Sequence, residues 1–170
     1  MDVRKRLWGL PRRRSLLALG IAIVIVELVG ASGAIFTAMG LETWYGTLTR
    51  PTLAPPNWVF GPVWTALFGL MGVAVWLVWK AGAIDGNEDA TWALTVFAIH
   101  FVVNLAWSGA FFGLQSLWGG MAVILVLWAF VVTVIRVFAR IDLRAALLLV
   151  PYLLWVTFAA YLNYAFWLLN

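Results

Sequence analysis

His100 is the only histidine in the chain, and cysteine is absent. A histidine cluster for zinc, a two-histidine haem site and any thiolate chemistry are therefore excluded. No GxSxG, Walker or dinucleotide-binding string occurs. Serine–histidine–acid catalysis would need a carboxylate near His100, and Glu27 is the one acidic residue inside an apolar stretch. The residue type in excess is tryptophan, with twelve copies in 170 residues. An indole offers a large apolar face and one N–H donor, which is chemistry for binding a flat hydrophobic guest rather than for turnover.

Spacing groups these side chains. Trp64, Phe68 and Met71 recur at i, i+4, i+7. Asn104, Trp107, Ser108 and Phe111 share one face of another stretch, and Trp155, Ala159 and Leu162 share one of a third. Asn104 is costly against lipid, so its face is expected to point inward. At 1.5 Å per residue, Trp64 lies roughly 9 Å below the outer boundary, and Asn104 and Trp155 roughly 15–20 Å deep. Trp8, Trp44, Trp92, Trp118 and Trp167 fall at the ends of apolar stretches and read as interfacial belts.

The elements that must hold these residues are membrane spans. Hydrophobic residues make up 65% of the chain and charged residues 11%, against about 25% charged in soluble domains. Five apolar stretches, near Leu16–Met39, Trp58–Lys80, Thr91–Leu114, Leu117–Phe138 and Ala145–Leu168, each approach the ~20 residues a crossing helix needs. The fold expected is all-α, a membrane bundle of five helices over residues 16–170, preceded by a basic arm over residues 1–15. The first span is too long for a signal-peptide core and carries Glu27 midway, so it is expected to remain as a span.

Loop charges give the orientation. Arg4, Lys5, Arg6, Arg12, Arg13, Arg14, Lys80, Arg136, Arg140 and Arg144 gather on one side and Arg50 alone on the other. By the positive-inside rule the N-terminus is cytoplasmic, and the C-terminus and the loop before Asn57 lie outside. Beside a span, the arginine-rich arm reads as a cytoplasmic anchor and not as a nucleic-acid site. The outer loop carries Pro51, Pro55 and Pro56, with Pro62 just beyond, and cannot be a regular helix. With Trp44 and Tyr45 it reads as an aromatic rim over a pocket between the second, third and fifth spans. Glu27, at the depth of His100 and Asn104, is expected to face protein and find a partner or stay protonated. Gly109 and Gly113 form a G-x-x-x-G, either a dimer seam or a close approach within the chain.

The strings "WYGTLTRPTLAPPNWVFGPVWTALFGLMG", "NLAWSGAFFGL" and "PYLLWVTFAAYLNYAFWLLN" resemble the translocator protein family, also called tryptophan-rich sensory proteins or peripheral benzodiazepine receptors. The likeness covers about residues 20 to 170 and omits the arginine arm. It implies a five-helix bundle, commonly a homodimer, that binds porphyrins, sterols and benzodiazepine-type ligands and requires no cofactor. It also implies adjoining first and third spans, and so a hydrogen bond from Glu27 to His100 or Asn104. Carried over by position, the ligand site is Tyr45, Pro55, Trp64, Phe68, Asn104, Trp107, Ser108, Trp155, Ala159 and Leu162. The sterol-recognition segment of animal members pairs a tyrosine with a cation four residues on. Here Tyr164 is followed by Leu168, so a porphyrin-type tetrapyrrole is the better expectation than a sterol. The implied role is a membrane receptor or sensor linked to transport, located in the cell membrane of a prokaryote. The alternatives are light-dependent porphyrin breakdown, with Trp64 and Trp155 as its candidate residues, and a small transporter or scaffold.

Overall fold

A computed structural model describes residues 12–41 and 43–170. Most of the basic arm, with Arg4, Lys5, Arg6 and Trp8, lies outside the described residues. Among the described residues five helices are long and apolar enough to cross a membrane: Arg14–Leu41, Asn57–Ala83, Asp89–Gly113, Leu117–Ala139 and Leu143–Leu169. The protein is an all-α integral membrane bundle, as the apolar periodicity predicts.

Two of the expected spans are broken. The first comprises α1 (Arg12–Ser32) and α2 (Ala34–Leu41), with a turn at Gly33. The fifth comprises α6 (Leu143–Leu148) and α7 (Val150–Leu169). Pro151 sits in the first turn of α7, where its missing N–H costs nothing and where it prevents a continuous helix from α6. Between them run α3 (Phe60–Asp85), α4 (Asp89–Ser108) and α5 (Leu117–Ala139). Gly86 ends α3 in the left-handed conformation, φ 70°. Ser116 caps α5 by accepting the Gly119 N–H at 2.9 Å.

The third span does not end as an α-helix. Gly109–Gly113 forms one π turn, closed by Leu114 N–H on the Gly109 carbonyl at 2.8 Å. The wider turn carries both Phe111 and Phe112 into the core. Gly40 of α2 packs against that turn so closely that a Cβ there would lie 2.5 Å from the Phe112 carbonyl oxygen.

Around the bundle α1 packs on α3, α3 on α4 and α6, α4 on α5, and α5 on α6 and α7, while α2 closes on the π turn. The α1–α3 seam is built on glycine: a Cβ at Gly72 would meet the Ile23 backbone at 2.6 Å. The C-terminal Asn170 bonds the Thr49 N–H at 2.8 Å, which ties the chain end to the proline-rich loop.

Candidate functional site

Arg50 organises the loop over the bundle. Its guanidinium donates to the Pro55 carbonyl at 2.8 Å and to Asn57 Oδ1 at 3.2 Å. It also lies 5.5 Å from the centroid of the Tyr45 ring. Prolines cannot close a ladder of their own, so one planar cation with several donors supplies the cross-links. Tyr45 is driven beneath this loop onto Phe111, Phe112 and Phe166. Burial pushes its hydroxyl above the usual tyrosine pKa, with Arg50 pulling in the opposite direction.

Below the loop two cavities adjoin. The larger, about 220 Å³, takes Trp64 and Phe68 from α3, Asn104 and Ser108 from α4, and Glu27, Gly30 and Thr37 from the first span. The smaller, about 30 Å³, holds Tyr45, Trp107, Ala159 and Leu162 with Asn163 of α7. Phe60 lines both. Trp155 stands behind it, edge to face at 6.1 Å, and Pro55 contributes its carbonyl to the loop clasp. The expected residues thus converge on one end of the bundle, divided by Phe60. Trp107 and Ser108 are about 100° apart on a helix, so a single broad face of α4 serves two neighbouring spaces.

The wall arrangement differs from the expected one. The first span, rather than the fifth, closes the larger cavity, because α1 lies along α3 and the glycines of that seam let it come near. Glu27 also differs from its expectation. Its Oε1 faces Gly69, 3.6 Å from where a Cβ would stand, and His100 and Asn104 find a partner elsewhere.

That partner is Tyr152 of α7. Asn104 Nδ2 donates to the Tyr152 hydroxyl at 2.8 Å, and His100 Nε2 lies 2.9 Å from the same oxygen. His100 Nδ1 faces the Phe97 carbonyl at 3.3 Å. The network assigns the proton of His100 to Nδ1, so Tyr152 donates its O–H to Nε2. Asn104, Tyr152 and His100 are all buried, and this chain fixes the Asn104 amide at the wall of the larger cavity. Spacing alone missed Tyr152. The signal available was its place three residues before Trp155, on the same helical face.

One donor in the smaller cavity is unused. Trp107 is 9% exposed and its Nε1–H has no partner among the described residues. Its ring stacks on Phe111 at 5.5 Å and meets Phe112 edge on. Trp128 is 40% exposed and donates to Thr157 Oγ1 at 2.9 Å. Trp92 and Trp118 are exposed near span ends, as the belt reading predicts. Among the described residues no group of histidine and acidic side chains could hold a metal.

The comparisons with known proteins agree with this architecture. The family model described as TspO/MBR family matches residues 22–168. The chain is 41% identical over 161 residues to the tryptophan-rich protein TspO of Chlorobaculum tepidum, covering 92% of this chain and 98% of that one. It is 38% identical to the protein of the same name from Archaeoglobus fulgidus, over 92% and 99% of the two chains. It is 30% identical to the translocator protein of Bos taurus, over 85% of each chain. This five-span membrane protein therefore belongs to the TspO/MBR family.

Proposed function

We propose that the protein is a membrane receptor for porphyrin-type tetrapyrroles, bound in the chamber formed by the two cavities when Phe60 turns aside. A receptor-type role accords with the sensory and translocator names of its relatives, and the ligand class is the finer step. The observation that carries it is the unpartnered Trp107 N–H, buried among aromatic faces in a cavity next to the one lined by Trp64, Phe68 and Asn104. A buried donor without an acceptor is costly, and a ligand carbonyl or carboxylate relieves that cost. Binding pockets for small molecules span about 300–1,000 Å³, so the larger cavity at about 220 Å³ must be extended to hold a tetrapyrrole. Phe60 is the side chain whose rotation joins the two spaces.

By the positive-inside rule the proline-rich loop and this chamber face outward and the basic ends face the cytoplasm of a prokaryotic cell. Protoporphyrin titrated into the detergent-solubilised full chain is expected to quench tryptophan fluorescence without loss of pigment. Light-dependent bleaching of the bound pigment would favour the enzymatic reading instead. No change in fluorescence would overturn the receptor reading in favour of a scaffold.

A further inference from the structure

A further cavity lies away from this chamber, beside Trp76, whose ring Lys80 overlies. It is a groove of about 660 Å³ between α1, α3 and α4, lined by side chains such as Ile25, Val29, Trp76, Ala98 and Val102. Its walls are almost wholly apolar, and Ile25 and Val102 are exposed along it. On α1 it runs from Ala18 to Val29, roughly 16 Å at 1.5 Å per residue. That is half of the ~30 Å hydrocarbon core, the depth of one leaflet.

The mouth of the groove is cationic. Trp76 donates its indole N–H to the Ser15 carbonyl at 3.1 Å, which pins the start of α1, one residue after Arg14, to α3. Lys80 Nζ lies 5.5 Å from the centroid of the same Trp76 ring. Arg14 is exposed. Among the described residues the one ion pair is Asp142–Arg144, so neither mouth cation has an acidic partner there. Neither Glu88 nor Asp89, at the head of α4, forms an ion pair with Lys80.

We infer that this groove is a binding site for an anionic phospholipid, its acyl chain lying between α1 and α4 and its phosphate between Arg14 and Lys80. The depth of one leaflet fits a single acyl chain. Basic positions beside a groove between spans on the cytoplasmic side suit acidic headgroups. A second copy of the chain is the poorer occupant. A parallel twofold dimer on this face would bring Arg14 and Lys80 of both copies together, and like charges disfavour that arrangement.

The test uses the full chain in detergent and native mass spectrometry with equimolar phosphatidylglycerol and phosphatidylcholine. Retention of phosphatidylglycerol over phosphatidylcholine is expected, weakened about fivefold for each cation removed, following the ~1 kcal/mol per basic residue at a membrane surface. Arg14→Gln/Lys80→Gln is therefore expected to abolish the preference while leaving protoporphyrin quenching unchanged. Ala98→Trp, which fills the groove without touching charge, is expected to lower retention of both lipids. Should the double variant melt early, Arg14→Gln and Lys80→Gln alone give the same reading. Equal retention of the two lipids by the unaltered chain, or a preference that survives both substitutions, would overturn the inference. So would crosslinking that places a second copy across Ala98 in phosphatidylglycerol membranes.

Discussion

The Asn104 side-chain amide donates to the Tyr152 hydroxyl across 2.8 Å, joining α4 to α7 in the interior of the bundle. His100 holds the same hydroxyl from the other side at 2.9 Å. Tyr152→Phe keeps the ring and deletes the shared oxygen, leaving buried polar groups on both Asn104 and His100 without a partner. The expected loss is about 1–3 kcal/mol, read as a lowered melting temperature in detergent. An unchanged melt would show that the network contributes nothing to stability.

Trp107→Phe has the opposite sign for the free protein. Its Nε1–H is unpartnered while its ring stacks on Phe111. Phe keeps the stacking and removes the donor, so stability is expected to hold or rise. Protoporphyrin affinity is expected to fall by about 1–2 kcal/mol if the ligand accepts that hydrogen bond. Trp64→Phe/Trp155→Phe serves as a second readout of the same chamber. Unchanged affinity in both variants would remove the tryptophans from the binding site.

The contrast between Trp107 and Tyr152 shows what the sequence carries. The Trp64–Phe68 face was legible because α3 is a regular helix and i, i+4 spacing holds along it; the two rings stack at 5.2 Å. The five spans were legible from hydropathy and length alone. The division of α4 between two cavities was not, because it depends on Phe60 arriving from another span. The first-span wall was also hidden. Gly30 and Thr37 bear no aromatic signal, and their place at the cavity follows from the close α1–α3 approach, which only the packed structure reveals. The break before α7 is legible in Pro151, which a helix interior does not tolerate.

Gly109 and Gly113 separate two readings of one motif. A Cβ at Gly113 would come within 3.1 Å of the Phe36 ring in the same chain, whereas nothing lies within 4 Å of one at Gly109. Gly113→Leu is expected to destabilise the monomer by about 1–3 kcal/mol through overpacking. Gly109→Leu is expected to leave the monomer fold intact. If that face forms a homodimer seam, Gly109→Leu gives monomers in crosslinking; a persistent dimer assigns the seam to another face.

Glu27 supplies the last test. A carboxyl within a span is expensive unless a partner relieves it, and pairing with His100 or Asn104 predicts that Glu27→Leu lowers the melting temperature. The packed bundle predicts otherwise. His100 and Asn104 are committed to Tyr152, and Glu27 lies against Gly69 at the edge of the larger cavity with no hydrogen-bond partner among the described residues. Glu27→Leu is therefore expected to melt at or above the temperature of the unaltered chain, and Glu27→Gln to match it. Tyr152→Phe, by contrast, melts early. A clear drop for Glu27→Leu with recovery in Glu27→Gln would show that the carboxyl holds a buried hydrogen bond after all, and would return it to the polar network of α4.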